Sequence, residues 1–207
     1  PAIIGESADL KKASDRIWNG KLMNAGQTCI APDYVYVKED DLGDWMEATN
    51  NSISSMYPTI FDNDDYTSVV NEGHYARLDG YIEDAKNKGA DVIEINPANE
   101  SEKSHNKMMP TIVLNATDDM LVMQEEIFGP IMPVKTYNQM VEVVDYINLH
   151  ERPLGLYYFG KKKSEEEFVM SNTVSGGAAL NDVIFQFIQD DLPFGGIGPS
   201  GMGNYHG

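Results

Sequence analysis

The sequence contains a single cysteine, Cys29, and a thiol can serve as a catalytic nucleophile. From composition alone, a lone cysteine is more often a small buried apolar residue. The residues before it change that expectation, because the glycine in Gly26-Gln27-Thr28 lets the backbone approach a bound group closely. Unpaired amides at such a junction can face an oxyanion, and a thiol there can be activated. Cys29 is therefore a candidate nucleophile, and its own amide is a candidate oxyanion donor.

A glycine pattern near the C-terminus has the form of a dinucleotide-binding turn. Gly196, Gly198 and Gly201 spell GxGxxG, which in that role follows a strand and opens a helix. Here the pattern follows Pro193-Phe194 and contains Pro199, within a stretch rich in glycine. This composition predicts a loop and not a phosphate-binding turn.

The histidines show no metal-binding spacing. With one cysteine there is also no zinc cluster to complete, so we expect no metal. We interpret all four as surface or helix-cap residues: His74, His105, His150 and His206.

Composition limits the possible classes of protein. The chain has 207 residues, 42% of them hydrophobic, which is enough for one folded domain with a full core. Its formal net charge of −18 repels nucleic acid and anionic lipid surfaces, so we expect neither as a partner. No apolar run approaches the ~20 residues of a membrane span. One cysteine cannot form an intramolecular disulfide, so we expect the cytoplasm.

The elements around Cys29 predict a helix followed by a strand. Ser7 is a suitable N-cap, and apolar residues recur at helical spacing up to Leu22, before Gly26 ends the pattern. Residues 33–37 have the aromatic and β-branched content of a strand. Cys29 therefore lies in a helix-to-strand junction, residues 26–32.

Further along the chain, helices and strands alternate. Helices are predicted at 41–56, 71–88, 139–149 and 164–171, and strands at 91–95, 111–114, 131–137, 156–159 and 178–181. This alternation predicts an α/β fold, a three-layer domain with a mostly parallel twisted sheet covered by helices. The polar stretch 97–107 is predicted to be a surface loop, so residues 1–207 form one domain.

Several segments resemble the aldehyde dehydrogenases, and especially their class 3-like branch. MNAGQTCIAPDYVYV, from Met23 to Val37, resembles the cysteine motif of that family, and MQEEIFGPIMPV, from Met123 to Val134, resembles a second family segment. LPFGGIGPSGMGNYHG, PLGLYYFG and SGGAALND are similar to the class 3-like branch and to its coniferyl aldehyde type. The resemblance thus covers nearly all of the chain.

The resemblance implies roles for three residues. Cys29 is the nucleophile, while Glu126 and Phe128 hold the ribose of a nicotinamide cofactor, NAD or NADP. A carboxylate suits this role because its two oxygens accept hydrogen bonds from both ribose hydroxyls. Outside this context, a glutamate beside another glutamate is usually a solvated surface charge.

The implied reaction is oxidation of an aldehyde, aromatic in the coniferyl-type enzymes, through a thiohemiacetal and a thioester on Cys29. In the family, a general-base glutamate and an oxyanion asparagine precede the segment that begins at Pro1. The nucleotide-binding domain also precedes it, and a C-terminal tail follows. We therefore expect an excised catalytic domain of a homodimeric enzyme, inactive in isolation.

Two alternatives remain open at this point. A thiolate that forms thioesters also fits a cysteine-dependent esterase or acyl transferase, although no histidine has a sequence context that pairs it with Cys29. A non-catalytic module of the same fold is the second alternative, because a fold alone does not imply activity. The joint presence of Cys29, Glu126 and Phe128 speaks against it.

Overall fold

The computed structural model describes residues 1–101 and 106–207 and shows one seven-stranded sheet. The strand order is β3-β4-β5-β2-β1-β6-β7. The strands are β1 (Ala2–Ile4), β2 (Val35–Lys38), β3 (Asp91–Glu94), β4 (Thr111–Leu114), β5 (Ile131–Tyr137), β6 (Gly155–Phe159) and β7 (Gly177–Leu180). Only the β3–β4 pair is antiparallel among these strands, so the predicted α/β fold with a mostly parallel sheet is confirmed.

Helices cover both faces of the sheet. They are α1 (Leu10–Leu22), α2 (Leu42–Met56), α3 (Glu72–Asn87), α4 (Leu121–Gln124), α5 (Met140–Leu149), α6 (Lys163–Asn172) and α7 (Phe185–Ile188). Short 3₁₀ turns lie at Met23–Gly26, Glu39–Asp41 and Gly198–Ser200. No helix in the described part of the chain is both long enough and apolar enough to span a bilayer.

Successive strand residues pack against opposite faces, as the pleat requires. In β1, Ala2 and Ile4 belong to the core under α1 and α2, whereas Ile3 belongs to the core under α5 and α6. All three residues are buried, which is typical of a central parallel strand covered on both sides. The three-layer prediction is therefore confirmed.

The start of α1 differs from the prediction. Asp9 caps this helix by accepting a hydrogen bond from the Lys12 amide. The Ser7 hydroxyl instead accepts hydrogen bonds from the amides of Lys161 and Lys162, at 2.7 and 2.8 Å. The N-cap assignment of Ser7 was wrong because its side chain serves a distant loop.

Three short elements were not predicted: β1, α4 and α7. Each has only three or four residues, too few for a periodic pattern to emerge. Part of the predicted loop 97–107, including His105, lies outside the described residues.

Candidate active site

A cleft of about 410 Å³ opens at the amino ends of the central strands. Cys29 precedes β2, Glu126 and Phe128 precede β5, and Leu154 precedes β6. Because β5, β2, β1 and β6 are neighbours in the sheet, the segments before them meet at one edge. Side chains of all four named residues line the cleft. The structure thus brings the three predicted site residues together.

The backbone before Cys29 forms a left-handed turn. Asn24, Ala25 and Gly26 have φ values of 54°, 53° and 75°. The left-handed region is unfavourable for residues with a Cβ, and such strain is often found at functional sites. The turn ends α1 sharply, so that residues 26–32, the cysteine loop, lie at the amino edge of the sheet.

Gly26 is where the cysteine loop meets the carboxylate turn, residues 125–129. A Cβ atom on Gly26 would lie 2.3 Å from the carbonyl oxygen of Gly129. A Cβ atom on Gly129 would in turn lie 2.5 Å from the Leu78 side chain of α3. The two glycines therefore allow the cysteine loop, the carboxylate turn and α3 to pack closely against one another.

Gln27 fixes the cysteine loop from the side. Its side-chain amide nitrogen, Nε2, donates hydrogen bonds to the carbonyl oxygens of Asn24, at 2.9 Å, and Ser68, at 3.1 Å. Its side-chain oxygen accepts a hydrogen bond from the Val70 amide at 2.9 Å. One side chain thus ties the loop both to itself and to the segment before α3.

Cys29 is an exposed free thiol at the tip of this loop. Within the described ranges, its backbone amide has no hydrogen-bond partner, so this donor is available to a bound oxyanion. The next residue is anchored, because the Tyr157 hydroxyl donates a 2.6 Å hydrogen bond to the Ile30 carbonyl. The Gln186 side chain donates to the same hydroxyl at 3.1 Å.

The carboxylate turn is held from two directions. From α3, the Arg77 guanidinium donates hydrogen bonds to the carbonyl oxygens of Glu126, at 3.3 Å, and Ile127, at 2.7 Å. From the cysteine loop side, the Asp33 carboxylate accepts a hydrogen bond from the Ile127 amide at 3.3 Å. Phe128 adopts a φ of 49°, and the residue is 37% exposed. The backbone contacts therefore present the carboxylate and the phenyl ring to the cleft.

Three charged side chains at the cleft shift one another's pKa values: Lys21, Asp33 and Glu126. Burial lowers the pKa of Lys21 to about 8, although the carboxylates of Asp33 and Glu126 oppose this shift. Burial raises the pKa of Asp33, with Lys21 opposing. Partial burial and the Asp33 charge raise the pKa of Glu126, while Arg77 and Lys21 lower it. Two cations thus help two neighbouring carboxylates to remain ionised.

A larger cavity, of about 1110 Å³, lies at the opposite edge of the sheet. It is lined by α1 and α2 together with Phe159 and Asn181, at the carboxyl ends of β6 and β7. Its described lining includes no cysteine or histidine. In open parallel sheets, ligands usually bind at the carboxyl ends of the strands. Here the candidate nucleophile is at the amino edge, so we assign the site to the smaller cleft.

The GxGxxG segment forms a loop containing a single 3₁₀ turn, Gly198–Ser200, as predicted. The loop is nevertheless part of the site, because Pro199 and Ser200 line the cleft. His74 and His150 are exposed and lie at helix ends, while the half-buried His206 contacts the Leu192 carbonyl at 2.7 Å. No metal-binding cluster occurs among residues 1–101 and 106–207.

Several residues that hold the site in place were not predicted, among them Lys21, Asp33, Arg77 and Tyr157. The sequence pattern could have indicated that Lys21 is buried, because Lys21 follows the apolar Ile17 by four residues and so lies on the apolar face of α1. The other three act through contacts with distant segments, and no local pattern indicates those contacts.

Chemically, the cleft combines a nucleophile, a free amide, a carboxylate and an aromatic ring. The thiol can attack a carbonyl carbon, and the amide can stabilise the resulting oxyanion. The Glu126 carboxylate can accept hydrogen bonds from a pair of neighbouring hydroxyl groups, and Phe128 offers an aromatic surface in the same cleft.

The whole chain is similar to proteins of one known family. The aldehyde dehydrogenase family profile matches residues 1–207. The chain is 53% identical over 209 residues to the probable coniferyl aldehyde dehydrogenase of Caulobacter vibrioides, and 46% identical over 209 residues to the coniferyl aldehyde dehydrogenase of a Pseudomonas species. Each alignment covers 100% of this chain but only 43% and 44% of those proteins. The chain thus spans less than half the length of these relatives.

Solved structures share the fold. The substrate-bound state of Staphylococcus aureus AldH is similar with a TM-score of 0.88 and 36% identity, covering 100% of this chain and 44% of that one. The NADP-dependent glyceraldehyde-3-phosphate dehydrogenase of Bacillus halodurans, complexed with NADP, is similar with a TM-score of 0.86 and 27% identity, covering 98% and 42%.

Proposed function

Because the chain belongs to the aldehyde dehydrogenase family, we propose that it is the catalytic domain of a longer enzyme that oxidises an aldehyde to a carboxylic acid. The observation that carries the proposal is the meeting of Cys29, Glu126 and Phe128 in one cleft. The remaining length of the relatives would supply the nucleotide-binding domain, the general base and the subunit tail. The 207 residues alone are then expected to oxidise aldehydes very poorly.

In the proposed reaction, the Cys29 thiolate adds to the aldehyde carbon and forms a thiohemiacetal. The Cys29 amide, which has no partner in the described part of the chain, donates a hydrogen bond to the oxyanion. When bound, the nicotinamide cofactor accepts the hydride released as this adduct collapses to a thioester. Water then hydrolyses the thioester, releasing the acid and regenerating the thiol.

Glu126 and Phe128 would hold the ribose of the cofactor in this proposal. The carboxylate of Glu126 would accept hydrogen bonds from the ribose hydroxyls, and Phe128, which is partly exposed, would support the sugar beside it. The proposed cofactor is NAD or NADP. Most contacts that distinguish these two nucleotides would lie in the nucleotide-binding domain, outside this chain.

We propose an aromatic aldehyde, of the coniferyl type, as substrate. The support is the 53% and 46% identity to proteins named for coniferyl aldehyde. By analogy with the family, we further propose a homodimer, and we place the enzyme in the cytoplasm because the chain has one cysteine and needs no disulfide.

The function is tested in the longer protein in which we place this chain. Cys29→Ala is expected to abolish oxidation of coniferyl aldehyde, followed as nucleotide reduction at 340 nm. Glu126→Gln is expected to raise the KM for the nucleotide roughly tenfold, by weakening a charge-assisted hydrogen bond. Glu125→Gln is the matched control, because Glu125 is an exposed neighbour outside the cleft lining.

Two outcomes contradict the proposal. One is normal turnover after Cys29→Ala, and the other is an equal effect of the two glutamate substitutions. Hydrolysis of p-nitrophenyl acetate in the absence of nucleotide, without any aldehyde oxidation in its presence, would favour the esterase alternative. That alternative also needs a base, and no histidine is among the described residues that line the cleft.

A further inference from the structure

Lys21 is an unusual residue beneath the proposed site. Its side chain is 0% exposed, and its ammonium group donates no hydrogen bond within the described residues. A buried cation without hydrogen bonds is costly, and such residues are rare unless a nearby charge compensates them. The position of Lys21 therefore calls for an explanation beyond packing.

The charge that compensates it is Asp33. The Lys21 ammonium lies 3.9 Å from a carboxylate oxygen of Asp33. The same carboxylate oxygen accepts the hydrogen bond of the Ile127 amide at 3.3 Å. Because Ile127 directly follows Glu126, a continuous line of contacts runs from α1 to the carboxylate turn.

We propose that Lys21 is a positioning residue for the cofactor: it anchors the Asp33 carboxylate, which in turn holds the carboxylate turn so that Glu126 faces the ribose. The proposal rests on the proposed function, since Glu126 is given its role there. From α3, the Arg77 guanidinium holds the same turn by donating hydrogen bonds to the carbonyl oxygens of Glu126 and Ile127. The turn is thus clamped at its amide by Asp33 and at its carbonyls by Arg77.

Electrostatics point the same way. The Asp33 charge raises the pKa of Glu126, and Lys21 and Arg77 lower it. Without Lys21, Arg77 alone would oppose the effect of the Asp33 charge on Glu126, a condition under which neighbouring carboxylates tend to share a proton. A protonated Glu126 is a poorer acceptor for two hydroxyl groups. Lys21 therefore supports both the orientation and the charge of the group that binds ribose.

The competing explanation is that Lys21 only stabilises the fold. Lys107 provides a matched control, because it is another buried lysine, 8% exposed, whose ammonium donates to the carbonyl oxygens of Phe61 and Asn63. Lys107 does not line the cleft. Substituting each lysine by methionine removes a buried charge while keeping a similar length and volume.

The experiment compares Lys21→Met, Lys107→Met, Asp33→Asn and the double variant Lys21→Met/Asp33→Asn in the longer protein. We expect Lys21→Met to raise the nucleotide KM on the order of tenfold, with kcat within about twofold of the parent. We expect Lys107→Met to lower the unfolding midpoint without changing the KM. Because Lys21 acts through Asp33 in this proposal, the double variant should have the same nucleotide KM as Asp33→Asn alone.

A readout independent of activity is the hydrogen exchange of the Ile127 amide, measured by mass spectrometry or NMR. Its exchange should accelerate in Lys21→Met and remain unchanged in Lys107→Met.

If the longer protein oxidises no aldehyde with either nucleotide, the proposed function fails, and the exchange rate of Ile127 still decides whether Lys21 anchors the turn. A Lys21→Met variant that loses stability with unchanged KM and unchanged Ile127 exchange would overturn the inference. So would a double variant whose KM exceeds that of Lys21→Met.

Discussion

Replacement of Gly26 by alanine tests the close approach of the cysteine loop to the carboxylate turn. Gly26 has a φ of 75°, and its missing Cβ would lie 2.3 Å from the Gly129 carbonyl oxygen. Ordinary contacts of this kind begin at 3.4 Å. The substitution must therefore move the cysteine loop and the carboxylate turn apart by about 1 Å.

The expected loss of stability has two parts. Placing a Cβ in the left-handed region costs about 1–2 kcal/mol. Overpacking against a backbone that cannot easily yield costs about 1–3 kcal/mol more. The sum, about 2–5 kcal/mol, is a large share of the 5–15 kcal/mol that stabilises a typical domain.

Gly203 provides the control, because it has nearly the same φ, 74°, with no atom within 4 Å of a built Cβ. Gly203→Ala should therefore cost only the conformational part, about 1–2 kcal/mol. The difference between the two variants isolates the close contact at Gly26. Urea unfolding of the longer protein measures both losses.

Gly26→Ala should lower turnover by more than its loss of stability alone explains. A displacement of about 1 Å at a reacting group can lower turnover on the order of a hundredfold. The rate of Cys29 alkylation by iodoacetamide reports whether the thiol remains accessible in the folded variant. Equal stability losses for Gly26→Ala and Gly203→Ala, together with equal turnover, would refute the packing between the cysteine loop and the carboxylate turn.

Three further outcomes are expected. Tyr157→Phe leaves the Ile30 carbonyl without its donor, so the unfolding free energy should fall by about 1–3 kcal/mol and kcat should fall more than the KM changes, as urea unfolding and steady-state kinetics would show. Arg77→Met removes both hydrogen bonds to the carbonyls of the carboxylate turn and should raise the nucleotide KM several-fold, with no change in Cys29 alkylation. Desolvation raises the pKa of Glu100, but hydrogen bonds from the amides of residues 60–62 outweigh it and hold that pKa below 4.5. The stabilisation by this carboxylate is present above pH 4.5 and is lost as the pH falls through its lower folded-state pKa, so Glu100→Gln should flatten the acid limb of a plot of Tm against pH, and an unchanged acid limb would contradict the assignment.

The sequence by itself was sufficient for the fold class and the family. The longer strands and helices have periodic or continuously apolar patterns, and the bounds of β4 and β5 agree with the prediction residue for residue. The motif around Cys29 predicted the aldehyde dehydrogenase family, which the match over residues 1–207 confirms. These features are local, because hydrophobic periodicity and active-site motifs are carried by neighbouring residues. The roles of Cys29, Glu126 and Phe128 stay predictions that the proposed variants test.

The sequence already placed Cys29 before a strand, but only the tertiary structure decided which other segments join it at that edge of the sheet. The general tendency of parallel sheets favours the carboxyl edge, where the larger cavity lies, but Cys29 lies at the amino edge. Likewise, Ser7 serves a distant loop instead of α1, and Lys21 reaches the carboxylate turn through Asp33. The physical reason is that a side chain's partner depends on which strands become neighbours, and the pairing of β2 with β5 joins segments about a hundred residues apart along the chain, beyond any local pattern.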